Sequence, residues 1–112
     1  MQLKMTAQGF DLSEGLKEHI QLQMERLTKF DHSAHISNAH VILHATGHGG
    51  RILSKAEGQV SIAGPDAFAE AEDEDLYKAV DKMVERLHTQ LKKVHEKTVK
   101  KARGGKRDFI LD

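Results

Sequence analysis

Apolar and polar residues alternate in four stretches of this chain, and that alternation predicts four β-strands that each bury one face. The strands are predicted at residues 1–8, 39–45, 52–63 and 67–72. In the first of them, Leu3, Met5 and Ala7 share one side, whereas Lys4 and Thr6 lie on the other. Because the strands alternate and are not apolar throughout, we expect one face of the sheet to be covered and the other to be open.

Two further stretches have the 3.6-residue spacing of amphipathic helices. The first covers about residues 13–30, with Ser13 as its candidate N-cap. The second covers about residues 74–103, and Gly104-Gly105 is its predicted stop. Its apolar stripe consists of Leu76, Val80, Met83, Leu87, Leu91 and Val94. Such a helix would be on the order of 45 Å long, so its last turns should project beyond a domain of this size.

The element order is therefore β-α-β-β-β-α, an α+β fold whose first two strands pair in parallel through a right-handed crossover. We predict a four-stranded sheet with both helices packed on one face. The open face is predicted to carry Lys4, His40, Ile42, His44, Lys55 and Phe68. Residues 1–103 should form the domain, and residues 104–112 a short flexible C-terminal tail.

Composition argues against several classes of function. The 112-residue chain contains no cysteine, which removes disulfides, thiol catalysis and cysteine-based zinc sites. Residues 1–12 lack the apolar run of a signal peptide, and no stretch approaches roughly 20 apolar residues, so we predict a cytoplasmic protein without a membrane partner. It also has no Gly-rich phosphate loop and no Gly-x-Ser-x-Gly motif, and we predict no enzyme activity, no cofactor and no small-molecule substrate.

The charges are unevenly distributed, although they sum to zero over the whole chain. Residues 66–81 hold seven acids and one lysine, a net charge of −6. Residues 82–107 hold ten Lys or Arg and two acids, a net charge of +8. This asymmetry is more informative than the total, because a concentrated basic segment is typical of a surface that contacts phosphates.

Five basic residues form a stripe along the second predicted helix, beside its apolar stripe. At about 100° per residue they fall within about 40° of one line. This basic stripe consists of Lys82, Arg86, Lys93, Lys97 and Lys100. Like charges at this spacing repel one another, and a row of phosphates would relieve the repulsion. The stripe therefore favours nucleic-acid binding, with a solvated helix face as the alternative.

Three segments resemble the family of bacterial ribosome hibernation-promoting factors and ribosome-associated inhibitors, also called sigma-54 modulation proteins. The most specific segment is residues 75–81, Asp-Leu-Tyr-Lys-Ala-Val-Asp, at the start of the second helix. The others are residues 13–17, Ser-Glu-Gly-Leu-Lys, and the pair Leu27 and Phe30. The likeness covers residues 1 to about 97, and the chain is similar to the short members of the family.

The resemblance implies the same β-α-β-β-β-α fold, similar to double-stranded RNA-binding domains. It implies a non-enzymatic protein that binds the small ribosomal subunit and its ribosomal RNA in the messenger and transfer RNA channel. Such a protein inhibits translation under stress or in stationary phase. Whether a helper factor for ribosome pairing is a further partner stays open.

RNA contacts are predicted on the basic stripe, its neighbours and the open sheet face. The predicted residues are Lys4, His44, Arg51, Lys55, Lys82, Arg86, Lys92, Lys93, Lys97, Lys100 and Lys101. Among them, Arg86, Lys93 and Lys97 match basic positions of the family's RNA-facing helix. The chain departs from the family at Thr89, where arginine is usual, and at His95, where lysine is frequent.

Two other functions stay open at this point. One is a generic double-stranded RNA-binding module, and the other is a protein–protein interaction module whose acidic and basic segments bind a partner without any ribosome. We predict no metal site, because the five histidines between residues 32 and 48 match no zinc-binding spacing. The acids at residues 70–75 are better explained by the start of a helix than by a cation site.

Overall fold

Helices cover one face of a β-sheet in this protein. A computed structural model describes residues 1–48 and 51–111, with side chains described for residues 1–45 and 52–97. Within the described residues the strands are β1 (Gln2–Gln8), β2 (Asn38–His48), β3 (Arg51–Ser61) and β4 (Ala67–Asp73). The helices are α1 (Glu14–Glu25), a 3-10 turn (Thr28–Phe30), α2 (Asp31–Ala34) and α3 (Leu76–Leu111).

The sheet has the strand order β1-β2-β3-β4. β1 pairs with β2 in parallel, in register Gln2 with Asn38, and the two later pairs are antiparallel. The predicted α+β fold, with a parallel first pair and two helices on one face, is therefore confirmed. No helix within the described ranges is long and apolar enough to cross a bilayer.

The core lies between the sheet and the two longer helices. Ser13 caps the N-terminus of α1, and its hydroxyl accepts a hydrogen bond from the Leu16 amide at 3.1 Å. From α3, Val80, Met83, Val84, Leu87 and Leu91 are fully buried. The sheet contributes the small or branched side chains of Ala39, Val41, Leu43, Ala56, Val60, Ala67, Ala69 and Ala71. These are the positions that the period-2 pattern assigned to the covered face.

The first helix ends earlier than the sequence predicts. α1 stops at Glu25 instead of residue 30; the 3-10 turn takes up the last residues of the predicted helix, and the short helix α2 lies between that helix and the predicted second strand. Leu27, Phe30 and Ala34 are all buried and continue the helical spacing of α1, so the bend after Glu25 follows from the positions of the sheet and α3 and not from a local signal in the sequence. α2 ends at His35, which adopts a left-handed conformation with φ of 52°.

The last helix is longer than predicted. α3 begins at Leu76 and continues to Leu111, past the predicted stop at Gly104-Gly105. Glycine weakens a helix by about 1 kcal/mol but ends it only where the backbone turns left-handed, and no proline follows here. The predicted tail at 104–112 therefore has helical backbone up to Leu111, and its side chains lie outside the described ones.

α3 packs directly against Gly58 of β3. A Cβ atom placed on Gly58 would lie 2.4 Å from Met83 Sδ and 2.8 Å from Leu87 Cδ1. Such distances are far below van der Waals contact, so any larger residue would force the helix or its side chains to move. The missing side chain of Gly58 thus sets how close α3 lies to β3.

Candidate nucleic-acid interface

The acidic residues before α3 build its first turn. Asp75 Oδ1 accepts a hydrogen bond from the Tyr77 amide, and Asp73 Oδ1 accepts one from the Asp75 amide, both at 2.9 Å. Lys82 Nζ donates to Asp73 Oδ2 at 2.7 Å, and this contact lowers the pKa of the Asp73 carboxyl. A cluster of three or more metal-ligating side chains is absent from the described part of the chain. These contacts agree with the helix-start interpretation.

The segment 75–81 also docks α3 against α1. His19 Nε2 donates to Asp81 Oδ1 at 2.6 Å, and the Tyr77 ring meets the His19 ring edge-on with centroids 5.0 Å apart. Ala79 and Val80, which lie between Tyr77 and Asp81 in the sequence, are fully buried. The most specific part of the resemblance therefore specifies a helix cap and a helix–helix contact.

One side of α3, which we call the β4 flank, carries Lys82, Arg86, Gln90, Lys93 and Lys97. Its first half is bonded to the edge strand. Arg86 donates to the Glu70 carbonyl oxygen, and Gln90 Nε2 donates to the Phe68 carbonyl oxygen at 2.5 Å. Gln90 Oε1 also accepts from the Phe68 amide at 3.1 Å. Together these side chains satisfy backbone groups that an edge strand otherwise leaves free for another strand.

Gln90→Glu is expected to expose this edge. The carboxylate can still accept from the Phe68 amide, but it cannot donate to the Phe68 carbonyl and would repel it. We expect a loss of about 1–2 kcal/mol of unfolding free energy, measured in urea, and more self-association in light scattering. Thr89→Ala, at the neighbouring exposed position, should change neither property much. Equal stability and association of the Gln90→Glu variant and the wild type would contradict the capping role.

The second half of the β4 flank is free. Lys93 and Lys97 are exposed, and among the described side chains neither has a hydrogen-bond or ion-pair partner. Leu91 is the last buried residue of α3 within the described side chains, and Val94 packs at the margin of the core. The basic stripe is thus divided between Lys82 and Arg86, which are bonded to residues of β4, and Lys93 and Lys97, which face solvent.

Other predicted contacts lie off this flank or outside the described side chains. Lys92 is exposed but lies about 100° around the helix from Lys93. The side chains of Arg51, Lys100 and Lys101 are outside the described ones. Among the described side chains of the basic stripe, Lys93 and Lys97 are therefore the two that are exposed and unpaired.

The opposite side of α3, which we call the α1 flank, carries Asp81, Glu85, His88 and His95 and faces α1 and the turn after it. His95 packs against Phe30 with ring centroids 5.9 Å apart, and its Nδ1 is buried, so this residue belongs to the core margin and not to the stripe. Thr89 lies on the solvent side, where its hydroxyl donates to the Glu85 carbonyl at 3.1 Å. His95 thus lies off the β4 flank, whereas Thr89 lies about 20° around the helix from Lys82, where the arginine usual in the family would add to the basic stripe.

Basic residues that the sequence did not single out border the α1 flank. Arg26 donates to Glu85 at 2.6 Å, and Lys29 Nζ lies 5.4 Å from the Phe30 ring centroid. Burial lowers the pKa of His88 beside them, and the charges of Lys29 and Arg26 lower it further. Arg26 and Lys29 lie outside any periodic basic pattern, so only the fold reveals that they approach α3.

The basic residues of the open sheet face do not join the stripe. Lys4, His44 and Lys55 lie on the face away from α3. Lys55 Nζ is 3.2 Å from Glu70 and 3.5 Å from Glu57, and the Glu70 contact raises its pKa. His44 Nε2 donates to Glu57 at 3.1 Å and lowers the pKa of that carboxyl. Phosphates would have to compete with these carboxylates for Lys55 and His44.

Comparison with known proteins identifies the family. The sequence profile of the family described as "Sigma 54 modulation protein / S30EA ribosomal protein" matches residues 3–99. This chain belongs to that family. The match covers α1, the strands from the second residue of β1 onward and the part of α3 that carries the β4 flank.

Relatives within the family are named ribosome hibernation promoting factor. The protein from Pseudomonas putida is 31% identical over 98 residues, covering 87% of this chain and 89% of its own. The protein from Azotobacter vinelandii is 27% identical over 104 residues, covering 93% of this chain and 92% of its own. Both alignments run through nearly the whole of each chain.

Solved structures share the fold. A ribosomal subunit interface protein from Coxiella burnetii superposes with a TM-score of 0.72 at 33% identity, covering 83% of this chain and 96% of its own. The N-terminal domain of Thermus thermophilus Protein Y gives a TM-score of 0.67 at 28% identity, covering 83% of this chain and 98% of its own. The architecture described above is therefore that of the family.

Proposed function

We propose that this protein is a ribosome hibernation factor that binds the small ribosomal subunit through α3 and inhibits translation. Support comes from the family relatives and from the free, exposed ammonium groups of Lys93 and Lys97 on the β4 flank. Two unpaired cations, placed one turn apart beyond the last buried residue, have a geometry suited to consecutive phosphates of an RNA backbone.

The division of the stripe suggests how binding would proceed. Lys82 and Arg86 keep α3 fixed against β4, so the helix approaches RNA as a rigid body and loses little conformational freedom. Among the described side chains, Lys93 and Lys97 form no ion pair that RNA binding would have to break. They can therefore exchange their solvent counterions for phosphates directly. The proposed contact is therefore electrostatic and sensitive to salt.

Inhibition would follow from occupancy. A rigid domain with a projecting helix, held in the channel used by messenger and transfer RNA, excludes both ligands without any chemical reaction. The proposal therefore includes ribosomal RNA as the partner, the cytoplasm as the location and no catalytic step. It leaves open a helper factor for ribosome pairing.

Sedimentation with purified ribosomal subunits tests the proposal. We expect the protein to pellet with small subunits in low salt, to be released progressively as salt rises, and to be displaced by messenger RNA together with transfer RNA. No pelleting in low salt would refute the proposal and leave a role in protein–protein interaction. Pelleting that messenger and transfer RNA do not reduce would favour the generic double-stranded RNA module instead.

A further inference from the structure

The open face of the sheet is divided into two halves of different character. One half holds the ion-pair group of His44, Lys55, Glu57 and Glu70, in which the carboxylates lie within 3.5 Å of their partners. The low pKa of Glu57 keeps that carboxyl ionised at neutral pH. This half repels phosphate and has its hydrogen-bonding groups occupied.

The other half carries a row of four side chains across all four strands. Lys4 is opposite His40, His40 is opposite Gln59, and Gln59 is opposite Phe68. With strands about 4.8 Å apart, the row spans roughly 14 Å. It presents an ammonium group, an imidazole ring, an amide and a phenyl ring in that order. The Phe68 side chain is half-exposed, at 50%.

A depression of about 500 Å³ lies over the same half of the sheet. Its polar lining consists of Gln2, Lys4, Asn38, His40, Gln59 and Ser61. Two of these groups have fixed orientations: a hydrogen bond of 2.8 Å joins Thr6 Oγ1 to His40 Nε2, and Gln59 Nε2 donates to Asp66 at 2.9 Å. The Gln59 bond leaves its carbonyl oxygen available as an acceptor.

We propose that this half-sheet is a binding site for single-stranded RNA, with one unstacked base on the Phe68 ring and a neighbouring phosphate at Lys4. The Gln59 amide, which lies between them, hydrogen-bonds to the edge of a base. The inference deepens the proposed function and rests on it, since the RNA partner supplies the strand. It adds a second contact on the face opposite α3.

The chemistry of the row favours RNA over a protein partner. An apolar docking surface needs a continuous patch, whereas Phe68 is flanked here by amides, an imidazole and a lysine. Aromatic rings on an open sheet are suited to bases, because every base has a π-face, and amides are suited to their edges. The ion-pair half limits the strand to the Lys4–Phe68 end.

Binding of a fluorescein-labelled hexauridylate, followed by anisotropy in about 150 mM salt, tests the site. Base–aromatic stacking contributes about 1–3 kcal/mol, so Phe68→Leu is expected to weaken binding roughly 5- to 150-fold. Phe68→Tyr keeps the ring and should restore binding. Lys4→Gln should weaken binding and lower the magnitude of the salt slope by about 0.7, the single-strand value for one phosphate.

Leu22→Ala is the matched control, because it also removes an exposed apolar side chain, 64% exposed, but on α1. Its hexauridylate affinity should equal that of the wild type. Equal affinities of the Phe68→Leu variant and the wild type would overturn the inference. If the wild type pellets with small subunits but does not bind hexauridylate, this inference fails and the proposed function stands. Hexauridylate binding that depends on Phe68, without pelleting, would support the site and refute the proposed function.

Discussion

The double substitution Lys93→Glu and Lys97→Glu is expected to abolish binding to small ribosomal subunits and to leave the domain folded. Both ammonium groups are exposed and unpaired among the described side chains, so no packing contact is lost. Each change removes one phosphate contact and places a carboxylate against the RNA backbone. Affinity should fall on the order of 100-fold or more in moderate salt, measured by sedimentation over a protein titration.

The matched control is Lys17→Glu with Lys78→Glu, which changes the net charge by the same amount on α1 and on the first turn of α3, about 22 Å along the helix from Lys93. Lys17 makes an exposed contact of 3.4 Å with Glu14, and such surface pairs contribute little. Glutamate in the first turn of α3 is favourable as well. If the control loses as much affinity as the Lys93 and Lys97 variant, net charge and not the β4 flank governs binding. If the variant with Lys93→Glu and Lys97→Glu binds small subunits as tightly as the wild type, α3 is excluded as the contact.

Gly58→Ala is expected to cause the largest loss of stability from a single methyl group. Its Cβ would overlap Met83 Sδ and Leu87 Cδ1, and α3 cannot retreat without loosening Val80, Val84 and Leu91. Overpacking costs about 1–3 kcal/mol, and an approach of 2.4 Å places this substitution near the upper end of that range; a less flexible unfolded chain offsets about 0.4–1 kcal/mol of the loss. Thermal unfolding should show a Tm lower by roughly 5–15 °C.

Gly15→Ala serves as the paired control because it adds the same methyl group in α1. The new Cβ would lie 3.3 Å from the Tyr77 hydroxyl, the end of a partly exposed side chain that can shift. Alanine also favours a helix over glycine by up to about 1 kcal/mol. Its Tm should therefore stay level or rise. Equal Tm values for the Gly58→Ala variant and the wild type would show that the α3–β3 contact is loosely packed.

The strands could be predicted from the sequence because the alternation of apolar and polar residues lies within each strand itself. In each strand the side chains that alternate toward the core, such as Val41 and Leu43, are those that the structure buries. The bend after Glu25 could not be predicted in the same way. Leu27 and Phe30 continue a helical spacing, and only the position of the sheet and α3 makes a 3-10 turn and α2 a better way to bury them.

The candidate site was only partly predictable for a related reason. Periodicity correctly places Lys82, Arg86, Lys93 and Lys97 on one side of α3. It cannot tell which of them meets a partner, because that depends on where the β4 edge lies. Gln90 carries no charge and so gave no signal, although it shares the flank with Arg86 and bonds to Phe68.

The docking role of residues 75–81 separates two properties of this protein. Changes at Asp75, Tyr77 or Asp81 disturb how α3 begins and how it meets α1, so they act on folding and on the amount of protein in the cell. Changes at Lys93 or Lys97 alter no buried contact, so they should not increase unfolding or the degradation that follows it. A variant with a lower affinity for RNA would therefore accumulate at normal levels without being active. Substitutions at these two positions can change the affinity for RNA without a cost to folding.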